Sequence, residues 1–231
     1  MADTSPERRV RERPQLSDEV AAYGRELIMS GRVRPGEYVR VERIAAELDV
    51  SITPAREGLM ALRGEGFVEL APRKGFAVAP LRRQDVRDIA FAQGALAGEL
   101  AARAARALAP EALAGIERVQ EAIERDARAD PPEHIDELNH RFHREIYLAA
   151  DAPKLTWMIE TATRYTPRRF HAVIRGWNRI AVEDHRVILA ALRTRDPDAA
   201  RTAMNDHMVR SGELLVEHLE ERGFWSGHDG T

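Results

Sequence analysis

All eight histidines of this 231-residue chain lie beyond residue 130, and three of them stand on apolar helix faces. Asn139 and His143 are four apart, one helical turn, so they share a face. Ile135, Phe142 and Ile146 lie on or beside that face. His185 shares its face with Val182, Leu189 and Leu192, and His207 with Ala203, Met204, Ser211 and Leu214. Polar groups aimed into an apolar interior need partners. Several imidazoles converging in one core have a natural common partner in a divalent metal ion. His134, His140, His171, His218 and His228 show no such grouping and read as ordinary core or surface histidines.

A second chemistry sits in the first 80 residues. The formal net charge is −3, which argues against a chain that binds nucleic acid through bulk charge. Residues 1–80 hold 13 basic and 13 acidic residues, so any contact with DNA must come from a local cluster. Such a cluster exists. Ser51 and Thr53 are small polar residues at the start of a helical stretch, with Ile52 between them and Arg56 one turn on. Arg73, Lys74 and Gly75 stand at a turn between two β-like runs, and Arg34, Arg40 and Arg43 lie nearby in sequence. Small polar groups can approach phosphates, and arginines can reach base edges or backbone.

These residues need elements to hold them. Ser17–Ser30 reads as a first helix, with Ser17 as cap, Asp18 and Glu19 in the first turn and Gly31 past the end. Val33–Glu37 contains a Pro-Gly turn. Glu42–Leu48 reads as a short second helix, and a third starts near Thr53-Pro54 and runs to Gly64, with proline in the first turn. Phe67–Leu70 and Phe76–Val78 alternate like strands around a basic tip, a hairpin. Beyond Gln84 the periodicity is helical throughout: Asp85–Leu108, Glu111–Ala129, Pro132–Ala150, Lys154–Tyr165 with an extension towards Ile174, Arg179–Arg193 and Pro197–Leu219. Residues after Gly223 read as frayed, and Met1–Pro14 as a polar arm without the features of a secretory signal. Cysteine is absent, which excludes disulfides and thiolate metal sites and fits a reducing cytoplasm. No apolar run approaches the roughly 20 residues of a membrane span.

Helix, helix, turn, helix and basic-tipped hairpin is the order of a winged helix-turn-helix. The stretch SGRVRPGEYVRVERIAAELDVSITPAREGLMALRGEGFVELAPRKGFAV resembles the DNA-binding domain of GntR-family bacterial regulators. The marks are Gly31, Pro35-Gly36, Val50-Ser51, Thr53-Pro54 with Arg56-Glu57, Leu62, Glu65-Gly66 and Gly75. NHRFHREIYLAADAPKL and EDHRVILAALRTRDPDAARTAMNDHM resemble the FCD ligand domain that follows it in one subfamily, in its shorter six-helix (VanR-like) version. The resemblance implies a mainly α fold: an arm over 1–15, a winged helix-turn-helix over 16–80, and an all-helical effector-binding and dimerisation domain over 84–222. It places Asn139, His143, His185 and His207 on a divalent metal, zinc, nickel or iron. Three departures from the family pattern stand out. Ile52 replaces an arginine that would read guanine. Gly58 replaces an alanine, which on helix propensity alone costs about 0.5–1 kcal/mol. Gln93 and Ala97 replace arginine and glutamate on the first sensor helix.

The expectation is a cytoplasmic, homodimeric, non-enzymatic transcription regulator, a repressor. It binds double-stranded operator DNA and responds to a small organic acid near the metal. Two alternatives stay open: a metal-dependent hydrolase using the three-histidine site, and a regulator whose helical half serves only dimerisation.

Overall fold

The computed structural model describes residues 13–72, 74–129, 132–166, 174 and 176–225. Contacts divide the chain into two units, one of residues up to 28 with 32–80, the other of residues 29–31 with 81 onward.

The first unit opens with α1 (Arg13–Met29). It starts four residues before the expected cap, so Ser17 lies inside the helix, Asp18 and Glu19 are past the first turn, and Arg13–Gln15 are helical rather than part of an arm. Residues 1–12, the remainder of the expected arm, lie outside the described residues. After Gly36, at φ +80, comes a two-residue strand that the alternation rule is too coarse to detect, β1 (Tyr38–Val39). It is followed by α2 (Val41–Glu47), α3 (Ile52–Gly64), β2 (Val68–Ala71) and β3 (Gly75–Val78). The sheet order is β1-β3-β2, all antiparallel, with Tyr38 opposite Ala77 and Val68 opposite Val78. Val20, Ile44, Leu59, Leu62, Phe76 and Val78 fill the core.

Gly58 belongs to this packing. A Cβ there would stand 2.5 Å from Val20 Cγ1 and 2.7 Å from the Ser17 carbonyl oxygen. The glycine is what lets α1 cross α3 closely. The expectation that it merely weakens the helix is therefore reversed, because alanine would collide with backbone.

The second unit holds six α-helices among the described residues: α4 (Arg83–Ala107), α5 (Pro110–Asp126), α6 (Ile135–Ala149), α7 (Pro153–Ala162), α8 (Trp177–Arg193) and α9 (Pro197–Glu221). Prolines open α5, α7 and α9, where the missing N–H has no helical partner to lose. α6 starts three residues later than expected. Asp126 accepts from the His134 backbone N–H at 3.0 Å and draws the connection back towards α5. α7 ends at Ala162 in a 3-10 turn over Thr163–Tyr165. Most of the extension towards Ile174 lies outside the described residues.

α4 packs antiparallel along α9 through small residues. Gly94 faces Asn205, Gly98 faces the Arg201 backbone, and Gly212 meets Ala90. Arg87 to Glu213, 2.8 Å, and Arg83 to Glu220, 2.8 Å, extend the contact. Residues 224–225 depart from expectation, while the rest of that stretch, 226–231, lies outside the described residues. Phe224 is 1 % and Trp225 8 % exposed, so this segment is packed rather than frayed.

Candidate metal centre and nucleic-acid interface

In the first unit, α3 leaves Ser51 in extended conformation (φ −73, ψ 163) with no side-chain cap bond. Ser51, Ile52, Thr53 and Arg56 are exposed together at its N-terminal end, while Pro54, Ala55, Gly58, Leu59 and Leu62 face inward. A helix end of this kind presents unsatisfied N–H groups and positive potential outward. Ile52 places an apolar side chain, 44 % exposed, at the tip.

The other cations differ in their freedom. Arg34 and Arg40 are exposed. Arg43 is engaged: its Nε donates to Glu47 at 2.9 Å, and Glu47 also accepts from the Tyr23 hydroxyl at 2.8 Å. Lys74 lies 5.0 Å over the Tyr38 ring, which links the hairpin tip to β1, and Gly75 takes the φ of +90 that begins β3. Arg73 lies outside the described residues.

In the second unit α6, α8 and α9 bring His143, His185 and His207 together. Their ring centroids are 4.9–5.2 Å apart, and one nitrogen of each lies within 4.8 Å of the others. All three are buried, and the Phe142 ring stacks on His185 at 3.9 Å.

Neighbours orient the rings. The Gln120 amide nitrogen donates to the Val182 carbonyl at 3.3 Å and to Glu124 at 3.2 Å. That leaves its Oε1 to accept from His185 Nδ1 at 3.0 Å. Asp184, an acceptor only, faces His207 Nδ1 at 3.3 Å and takes a 2.6 Å bond from Arg210 Nη1. With Nδ1 protonated in both, the lone pairs of His185 and His207 are on Nε2. Burial first, then the neighbouring His207 and His143 rings, hold the His185 pKa well below the ordinary imidazole range, so it stays neutral and keeps its Nε2 lone pair.

Among the described residues, the buried atoms Asn139 Oδ1 and His185 Nε2 have no hydrogen-bond partner. Leaving such atoms unmatched costs on the order of 1–3 kcal/mol each. A cation among the three imidazoles would take the His185 Nε2 lone pair, Asn139 stands one turn before His143 on the buried face of α6, and neutral imidazole and amide donors suit a borderline divalent ion. The residues present therefore fit a metal.

Sequence reasoning missed the roles of Gln120, Asp184 and Arg210: Gln120 comes from α5, and although Asp184 is next to His185 and Arg210 is three residues after His207, only the packing of α8 on α9 turns Asp184 to His207 and Arg210. Tyr147, one turn beyond His143, was missed too; its hydroxyl is buried without a partner, and burial raises its pKa. Gln93 is buried and donates to the Ala162 carbonyl at 2.9 Å and Thr166 Oγ1 at 3.3 Å, and Ala97 is fully buried. Gln93 therefore ties α4 to the end of α7. His134 is exposed beside Asp126, His140 is half-buried and His218 is buried. His171 and His228 lie outside the described residues.

Comparison with known proteins matches residues 16–78 to the gntR family of bacterial regulatory proteins and residues 88–210 to the FCD domain. The chain belongs to the GntR family. McbR, an HTH-type transcriptional regulator of Escherichia coli K12, is 26 % identical over 191 residues, 81 % of this chain and 86 % of McbR. A probable D-xylose utilization operon transcriptional repressor of Paenarthrobacter nicotinovorans is 30 % identical over 190 residues, covering 79 % of this chain and 80 % of that protein. The solved structure of E. coli McbR shares the fold, with a TM-score of 0.70 and 24 % identity across 87 % of this chain and 97 % of that one. This GntR-family member is thus a transcription regulator with an FCD domain. Among its described residues no helix is long and apolar enough to cross a membrane.

Proposed function

We propose that this GntR-family regulator is a cytoplasmic homodimer and a repressor. It binds operator DNA through α3 and the β2–β3 hairpin, and changes its affinity when a small carboxylate binds beside a metal held by Asn139, His143, His185 and His207. The observation that carries the sensing half is the pair of unpartnered buried atoms, Asn139 Oδ1 and His185 Nε2, among three converging imidazoles.

Bound there, a divalent ion would supply a fixed positive charge with open positions for an anion. Asn139 and the three neutral imidazoles bring no charge of their own, so the ion's charge is retained for an acid. Gln120 and Asp184 hold the rings so that Nε2 faces inward, and Arg210 neutralises Asp184. Phe142 shields His185 from water. Asp184 is committed to Arg210 and His207, which favours sensing over hydrolysis, since a hydrolase would need a carboxylate free to take a proton from water.

On the DNA side, Arg56 is the side chain best placed for base reading. Ser51 and Thr53 flank the helix end for phosphate contact, and Arg34, Arg40, Arg73, Lys74 and Gly75 form the backbone-facing set. Ile52 would meet a thymine methyl or sugar rather than guanine. Arg43 contributes least, because Glu47 already holds it.

Thermal melting of the full chain with zinc chloride, with and without chelator, and then with a panel of small carboxylates, tests the sensor. A ligand at 100 times its Kd adds about 2.7 kcal/mol of stability. Zinc should raise the Tm, chelator should reverse it, and at least one acid should raise it further only with metal present. No response to any metal or acid would leave the helical half as a dimerisation module. A salt-sensitive gel shift on the DNA upstream of its own coding region tests the other half.

A further inference from the structure

We propose that Phe224 and Trp225 form a clamp that fastens both chain connections leading to the DNA-binding unit onto the end of α9, and so transmits the state of the helical domain. The transmission half rests on the sensing reading above.

The chain passes between the two units in two stretches, one at residues 28–32, where 29–31 group with the helical unit, and one at residues 80–81. Both meet the same short segment. After α9, Gly223 takes a φ of +67 and the Phe224 N–H returns to the Leu219 carbonyl at 3.0 Å, which reverses the chain. Phe224 then packs on the first connection. A Cβ built on Gly31 (φ +71) would lie 3.7 Å from its ring and 3.8 Å from Arg222 Cβ, so this segment stands beside Gly31 at about the reach of a methyl group.

Trp225 holds the second connection. Its indole N–H donates to the Leu81 carbonyl at 2.6 Å. The Arg83 guanidinium, two residues further on, covers the indole face at 4.7 Å and bonds Glu220 of α9 at 2.8 Å. The two rings pack edge to face at 5.3 Å. One aromatic pair therefore touches the exit of α1 and the entry of α4.

The same helix bears His207. From His207 to Leu219 is twelve residues of uninterrupted α9, a rod of about 18 Å. The packing of Gly94 on Asn205 and Gly98 on Arg201 leaves little room for α9 to move without α4. A shift of α9 at the histidines therefore arrives at the clamp as a shift, rather than dissipating in a loop.

Hydrogen exchange of the full chain tests this, comparing wild type with Trp225→Ala and Trp225→Phe. In the alanine variant, amides of 29–33 and 81–86 should exchange at least tenfold faster. Amides of α5 and the zinc dissociation constant should stay within twofold of wild type. Phenylalanine keeps the ring and loses the N–H, so its rates should fall between, and it decides the question if the alanine variant fails to fold. The ratio of DNA affinities with and without zinc chloride should collapse towards one in Trp225→Ala. Connection amides exchanging at the wild-type rate overturn the clamp. Loosened amides with an unchanged zinc dependence of DNA binding overturn its transmitting role. Wild type that neither takes up zinc nor changes its DNA affinity removes the sensing reading and with it transmission, while the exchange rates still decide the clamp.

Discussion

Asp184 stands between a guanidinium and an imidazole, and the two partners ask different things of it. Arg210 holds it in place, while His207 needs it only as an acceptor for Nδ1–H. Asp184→Asn keeps the shape and removes the charge. Outer partners of metal-bound histidines are worth roughly 10–100-fold in affinity. Zinc affinity, measured by competition with a chromophoric chelator, should fall by about that factor with the melting temperature of the metal-free chain little changed. An unaltered affinity would mean the Asp184 contact is structural only. At the other end of the chain, Arg56→Ala should abolish the sequence-specific gel shift and leave the mass by light scattering as in wild type. Wild-type operator binding by this variant would mean α3 is not the reading helix. The histidines were legible because each sits at helical spacing among apolar residues. Gln120 was not: 65 residues separate it from His185, and nothing in its own surroundings marks a partner on another helix.

At the scale of elements, glycines separate propensity from packing. Gly58 and Gly64 sit on the same helix, yet only Gly58 faces a neighbour; a Cβ on Gly64 meets nothing within 4 Å. Gly58→Ala should destabilise by about 1–3 kcal/mol through overpacking against Val20 and Ser17. Gly64→Ala should stabilise by about 0.4–1 kcal/mol by restricting the unfolded chain. Chemical denaturation followed by far-UV circular dichroism checks both, and equal effects of the same sign would contradict the packing account. Helices α2 to α5, α8 and α9 were readable to within a few residues, because apolar periodicity is clear there and prolines mark the first turns of α3, α5 and α9. α1 ran past its expected cap, because a serine with acidic residues behind it satisfies the capping pattern wherever it falls and tertiary packing on α3 decides otherwise. β1 has two residues, too few for an alternation to register.

For the whole molecule, the two-part organisation was visible as a change of pattern from short mixed elements to uninterrupted helices. The packing of residues 224–225 was not. Phe224 and Trp225 follow a glycine and precede a Ser-Gly-His-Asp-Gly run, a composition that reads as a tail. Only the contacts with Gly31, Leu81 and Arg83 give these two aromatics a place. Zinc should therefore protect more than the histidines' immediate surroundings. With metal bound, limited proteolysis should slow at 29–33 and 79–84 as well as within α6, α8 and α9. Protection confined to the three helices would show that loading the site does not reach the connections.

The pairing of Arg43 with Glu47, in a unit whose acidic and basic residues balance, bears on how such a regulator finds its target. Non-specific affinity for duplex comes almost entirely from released counterions and grows steeply with the number of free cations facing the phosphates. A winged unit with few of them spends little time on random chromosomal DNA. Its search proceeds by short visits and re-encounter rather than by long sliding. The expected signature is weak binding to random duplex with a shallow dependence on salt, which would make the number of molecules made, rather than the length of competing genome, the control on how often the operator is filled.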